Sequence, residues 1–167
     1  MSKLYLAGSL FTKAERNERI REGNLLEHLT NYEVFNPLTA PCNDKSKLPT
    51  ASDIFWTDTK EVLSSDLIVA DISNPSDLGV AAELGIAWAC NHLHSLIEEG
   101  KSLEEILSLM KPKDVYCHLS DMRKDTAHCY RGNNVPWGIN QYLVGMVEST
   151  GVIKDEFDDI LNELAEI

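Results

Sequence analysis

The chain has 167 residues, 43% of them hydrophobic and 25% charged, which is the composition of one globular domain long enough to bury a core. Its net charge of -12 argues against nucleic-acid polymers and anionic membrane surfaces as partners, because phosphate-rich surfaces need a basic stripe. One small ligand with a local, uncharged site is not excluded. No apolar run is long enough to span a membrane, and the N-terminus opens directly into a strand pattern, so a cytoplasmic location is expected.

In chain order, Lys3 to Ala7 reads as a first strand, closed by Gly8-Ser9. An amphipathic helix follows over about 13–30, with Ile20, Leu25, Leu26 and Leu29 as its apolar positions. Tyr32 to Phe35 is a short second strand stopped by Asn36-Pro37, and residues 38–50 read as loop. A helix beginning at Ser52 or Asp53 reaches Ser64 or Ser65, and Leu67 to Ile72 is a buried strand followed by a turn at Ser73–Ser76. Asp77 is placed like an N-cap for the next helix. A short helix over 102–110, a strand over 115–119, a polar loop over 121–135 and helices over 139–148 and 155–167 complete the reading.

Strands alternating with helices predict an α/β fold: a flavodoxin-like, doubly wound parallel sheet in a three-layer α/β/α arrangement, as one domain spanning 1–167. Ligands of such sheets bind beyond the carboxyl ends of the strands. Gly8-Ser9, Asn36 and the stretch from Asp71 to Asp77 fall there. The nucleotide fingerprints GxGxxG and GxxxxGK[ST] are both absent, which disfavours a dinucleotide dehydrogenase or a P-loop enzyme. The four cysteines, Cys42, Cys90, Cys117 and Cys129, form no CxxC pair and read as reduced thiols. His92 and His94 are two apart, so a helix would point them away from each other. No metal site and no cofactor is expected.

Glu83 is the most informative residue. It is the only charged side chain between Leu78 and Cys90, and its neighbours one helical turn away are Gly79, Val80, Ile86 and Ala87. A carboxylate in such surroundings is costly unless it is paired or chemically employed. A carboxylate can also attack an anomeric carbon to leave a covalent glycosyl-enzyme. Glu83 is thus the candidate nucleophile. Asp77 stands at the mouth of the same helix, and Asp58 on the helix before it. Tyr5, on the first strand, is placed to donate a hydrogen bond to Glu83 and tune its basicity. Phe11 and Trp56 are candidates for stacking on a planar ring, although core packing is the commoner role of such side chains. Asn140 reads either as a ligand donor or as a helix-start residue.

Together these pieces resemble the nucleoside 2-deoxyribosyltransferase family over most of the chain. The matching segments are Leu4-Tyr-Leu-Ala-Gly8 with Phe11-Thr12, then Trp56-Thr-Asp58, Asp66-Leu-Ile-Val-Ala-Asp71, Asp77-Leu-Gly79 with Glu83-Leu-Gly85, Ser120-Asp-Met-Arg123 and Ile139-Asn-Gln-Tyr-Leu-Val-Gly145. The Asp-x-Gly-x-x-x-Glu-x-Gly spacing is the most specific of them. The resemblance implies that Glu83 attacks C1′ of a 2′-deoxyribonucleoside and that a second nucleobase then takes up the sugar, with net retention. It implies that Asp58 and Asp77 assist proton transfer to the departing base and that Tyr5 orients the nucleophile. Gly8, Phe11, Trp56, Gly79 and Asn140 become the substrate-binding candidates. It further implies that Asn140 is delivered from a neighbouring subunit, so that a homo-oligomer would share its sites, with nucleosides and nucleobases as the small-molecule partners. The segment 92–110 is a longer, partly helical connection than in compact members. Ile167, at the end of an acidic terminal helix, is assigned no catalytic part. A hydrolase acting on deoxynucleoside 5′-monophosphates and a non-catalytic nucleoside-binding module stand as alternatives.

Overall fold

A computed structural model describes residues 1–119, 129–130, 133–134 and 139–166. Strand β1 (Lys3–Ala7) lies at the centre of a three-stranded parallel sheet, between β2 (Glu33–Phe35) and β3 (Leu67–Ala70). Tyr5 stands opposite Phe35 on one side and Ile68 on the other. Leu4, Tyr5, Leu6 and Ala7 are all buried, as expected for a central strand covered on both faces by helices. Strands β4 (Val115–His118) and β7 (Gly151–Lys154) form a separate parallel pair, and β5 (Cys129–Tyr130) and β6 (Asn133–Asn134) a small antiparallel one. The parallel strands are flanked by α1 (Lys13–Leu29), α2 (Ala51–Ser64), α3 (Leu78–Glu98), α4 (Leu103–Leu109), α5 (Gln141–Thr150) and α6 (Phe157–Leu164). This is the α/β architecture expected, with helices flanking a parallel sheet as in a flavodoxin-like fold.

The chain leaves β1 to one side to form β2 and to the other to form β3. The carboxyl ends of β1 and β3 therefore border a topological switch point, where such sheets open a crevice. The helices that rim it start on well-formed caps. Thr12 and Glu15 close a capping box on α1, and Thr50 and Asp53 another on α2. That second box sets α2 to begin at Ala51 rather than at Ser52 or Asp53. Residues 37–47 are not plain loop: they wind into three single 3-10 turns, Pro37–Thr39, Pro41–Asn43 and Lys45–Lys47. Strand β7 was not anticipated, and α6 is shorter than the 155–167 pattern suggested. The Ser120–Arg123 motif, most of the polar loop over 121–135 and Ile167 lie outside the described residues.

Two apolar clusters meet beneath the crevice. One gathers Tyr5, Ala7, Val62 and Val80; the other gathers Ala40, Cys42, Ile54, Phe55 and Tyr142; Phe35 and Ile86 pack against both. Helices α2 and α5 approach closely enough that Gly145 has no room for a side chain. A Cβ there would lie 2.6 Å from Phe55 Cβ and nearer still to the Ala51 carbonyl oxygen. Thr59 Oγ1 and Tyr142 Oη, 2.8 Å apart, join the same two helices through a buried hydrogen bond. Buried Arg19 ties α1 to the sheet, donating from Nη2 to Asp71 at 2.8 Å and from Nη1 to the Ala7 carbonyl at 3.3 Å. The end of β1 is thereby fixed just before Gly8. Cys42, Cys90 and Cys117 are free thiols. Among the described residues no helix is long and apolar enough to cross a membrane.

Candidate functional site

The site is built around Glu83. Helix α3 begins at Asp77, whose Oδ1 caps it by accepting from the Gly79 and Val80 amides at 3.0 and 3.4 Å. One and a half turns on, Glu83 faces inward against β1 and is only 7% exposed. There Tyr5 Oη donates to Glu83 Oε1 at 2.6 Å. This is a short hydrogen bond in a buried place, and it leaves Oε2 without a hydrogen-bond partner among the described residues. Asp58, 4% exposed on α2, lines the same cavity, and the Cys42 thiol points at its Oδ1 from 3.7 Å.

Burial and like charge dominate the electrostatics. Removal from water pushes the Glu83 carboxyl up to about 8, and the charges of Asp58 and Asp77 push in the same direction, while the Tyr5 hydrogen bond pulls it partly back. Burial raises the Tyr5 phenol well above its ordinary value, with Glu83 and Asp58 adding to the effect. Tyr142 rises to about 12 and Cys42 to about 11, both chiefly through burial. Burial thus favours the protonated form of Glu83 near neutral pH. Three carboxyl groups in one crevice, one of them holding a proton that a change of surroundings would release, form an arrangement suited to proton transfer coupled to nucleophilic attack.

The cavity, about 210 Å³, brings together most of the residues singled out from the sequence: Gly8, Phe11, Asp58, Asp77, Gly79, Glu83 and Asn140 all line it. Tyr5 reaches it through Glu83. Trp56 is not among the lining residues: it is 48% exposed, and its ring packs edge-on against Phe55 with centroids 5.0 Å apart. It lies two positions from Asp58 on a helix, so the two side chains point in nearly opposite directions. Phe11, 65% exposed, also lines the cavity.

Asn140 stands within its own chain's cavity, where it caps α5 by accepting from the Tyr142 amide at 2.9 Å and donates from Nδ2 to Asp77 Oδ1 at 3.2 Å. The first turns of α3 and α5 are thus clasped together at the site within one chain. Gly79 makes room for the clasp, since a Cβ at that position would stand 2.7 Å from Asn140 Nδ2. His92 stacks on Trp88 with centroids 5.0 Å apart, and among the described residues no group of three metal-ligating side chains is present.

Among the other lining residues, sequence reasoning missed Arg16, Leu38, Asn43, Ile54 and Tyr142. Only Tyr142 lay in a motif already noted. Arg16 sits among alternating charges on α1 and carries no local sign of facing a cavity. Leu38 and Asn43 belong to the 3-10 turns that a loop reading cannot resolve.

Comparison with known proteins adds a family. The family model described as nucleoside 2-deoxyribosyltransferase matches residues 4–162. An uncharacterized protein of Ureaplasma parvum serovar 3 is 31% identical over 170 residues, a match spanning 97% of this chain and 93% of that one. No solved structure matches the chain.

Proposed function

The chain belongs to the nucleoside 2-deoxyribosyltransferase family, and on that premise we propose that it moves a 2-deoxyribosyl group between nucleobases through a covalent bond to Glu83. The observation that carries the proposal is the buried Tyr5–Glu83 hydrogen bond inside a cavity that Asp58 and Asp77 also line. A phenol holds one carboxylate oxygen still and leaves the other available for attack.

In the first half-reaction a Glu83 oxygen forms a bond to C1′, and the C1′–N bond breaks with its electron pair going to the departing base. The proton that Glu83 gives up passes to Asp58, whose charge already acts on Glu83, and from Asp58 to the base. In the second half-reaction the incoming base returns a proton to Asp58 as its nitrogen displaces Glu83 from C1′. Two inversions give net retention. Asp77 and Asn140, already hydrogen-bonded to each other, offer an acceptor and an amide for the sugar hydroxyls. The carboxylate of Asp77 at the sugar end disfavours a 5′-phosphate there, which supports unphosphorylated nucleosides over monophosphates. A homo-oligomer belongs to the same proposal, since α3 leaves Leu78 and Trp88 exposed.

The test is incubation of the purified protein with 2′-deoxyguanosine, with and without excess hypoxanthine, followed by chromatography. 2′-Deoxyinosine formed only when hypoxanthine is present supports base exchange. Guanine and free deoxyribose released at the same rate either way would make the protein a hydrolase instead.

A further inference from the structure

Helix α1 carries three arginines, and only one faces the cavity. Arg19 is held by Asp71 and Glu22, and Arg21 by Glu18. Arg16 lines the cavity and has no carboxylate partner among the described residues. Among the described residues it is the one cation lining a crevice with three carboxyl groups, and its side chain is exposed rather than tucked into the core.

The shared lining places Arg16 in one cavity with the reacting groups. Glu83 is bonded to Tyr5 on the central strand. Toward β3 lie Asp77, Gly79 and Asn140. Leu38 and Asn43 follow β2, and Arg16, on the helix that joins β1 to β2, lines the same cavity with them and with Phe11. A nucleoside has the same polarity, a hydroxylated sugar on one side of C1′ and a flat ring on the other. With C1′ at Glu83 and the sugar against Asp77 and Asn140, the ring extends along Phe11 and Leu38 and brings its far edge to Arg16 and Asn43.

The two side chains at that edge have opposite hydrogen-bonding characters. A guanidinium only donates. Asn43 donates its Nδ2 to the Pro37 carbonyl at 2.6 Å, and because that partner is an acceptor the amide orientation is determined. Asn43 Oδ1 is left as an acceptor with no partner among the described residues. A donor beside an acceptor matches a carbonyl next to a ring N–H, the edge shown by 6-oxopurines and 4-oxopyrimidines. Adenine and cytosine show the reverse, an amine next to an unprotonated ring nitrogen. We propose that Arg16 and Asn43 read this lactam edge, so that hypoxanthine, guanine, thymine and uracil are preferred over adenine and cytosine. The guanidinium also faces the oxygen on which negative charge gathers as an oxo-base departs. The inference rests on the nucleoside reading given above.

The test is a competition between equimolar hypoxanthine and adenine for the sugar of 2′-deoxyguanosine, comparing the natural protein with Arg16→Met, which keeps the aliphatic stem. Both acceptors draw on the same sugar-loaded enzyme, so any effect of Arg16 on the donor cancels from the product ratio. The natural protein should form mainly 2′-deoxyinosine, and Arg16→Met should shift the ratio toward 2′-deoxyadenosine by roughly tenfold or more, the usual effect of losing a charged hydrogen bond. A preference for adenine in the natural protein, or an unchanged ratio in a folded Arg16→Met, overturns the inference. So does an Arg16 dependence seen only with deoxyinosine 5′-monophosphate, which would make Arg16 a phosphate contact. If neither base is exchanged, the transferase reading falls and calorimetric titration with the free bases decides the inference separately. Hypoxanthine bound more tightly than adenine, with the difference lost in Arg16→Met, supports it; equal binding overturns it.

Discussion

Replacing Glu83 with glutamine should abolish turnover and, above neutral pH, stabilise the protein. The folded state holds the Glu83 proton until about pH 8, whereas the ordinary value for the group is 4.5. Between these values the unfolded chain has released a proton that the folded chain retains, so stability falls as pH rises through this window. At about 1.4 kcal/mol per pH unit, a carboxyl moved from 4.5 to about 8 costs the folded state roughly 5 kcal/mol once both states are ionised. Glutamine has nearly the same shape, carries no charge at any pH, and keeps an oxygen to accept from Tyr5 Oη. Urea unfolding measured from about pH 5 to about pH 9 should therefore show the two proteins converging at the acid end. At the alkaline end Glu83→Gln should be more stable by several kcal/mol. Parallel stability curves over the whole range would refute the claim that burial holds this carboxyl protonated.

Tyr5→Phe removes the one interaction that lowers the Glu83 pKa, so the ionisation of Glu83 should move to higher pH and kcat near neutrality should fall roughly tenfold or more. A pH–rate profile displaced the other way would count against the role given to Tyr5. Gly145→Ala should push α2 and α5 apart and destabilise the fold by about 1–3 kcal/mol, read as a lower Tm; an unchanged Tm would mean that this helix contact is looser than described. Mixing Glu83→Ala with Asn140→Ala under verified subunit exchange should restore no activity, because both residues serve the same chain's cavity. Recovery of activity would return Asn140 to a neighbouring subunit.

Glu83 was legible in the sequence because an isolated charge on an apolar helix has few explanations, and Asp77 because N-caps obey a local rule. Tyr5 followed from strand geometry once Glu83 was in view. Asp58 was harder, since nothing on its own helix reveals that the Cys42 turn closes over it and that it is 4% exposed. Trp56 stays out of the cavity wall because two positions along a helix turn its side chain away from that of Asp58. Strand β7 escaped because Gly151–Lys154 runs straight on from α5 with no turn residues between them, and its pairing with β4 is a long-range contact. Arg16 and Asn43 could not be found from local pattern at all. They become visible only when the order β2-β1-β3 places the ends of two strands side by side.

The covalent step is the centre of this account, and it is tested most directly by rapid quenching of the protein with 2′-deoxyguanosine and no acceptor base, followed by mass spectrometry of the intact chain and its peptides. The account predicts a mass increase of one deoxyribosyl group on the peptide that contains Glu83, cleared by added hypoxanthine and missing from Glu83→Gln. Exchange that proceeds with the sugar on a different residue, or at full rate in a folded Glu83→Gln, would contradict it.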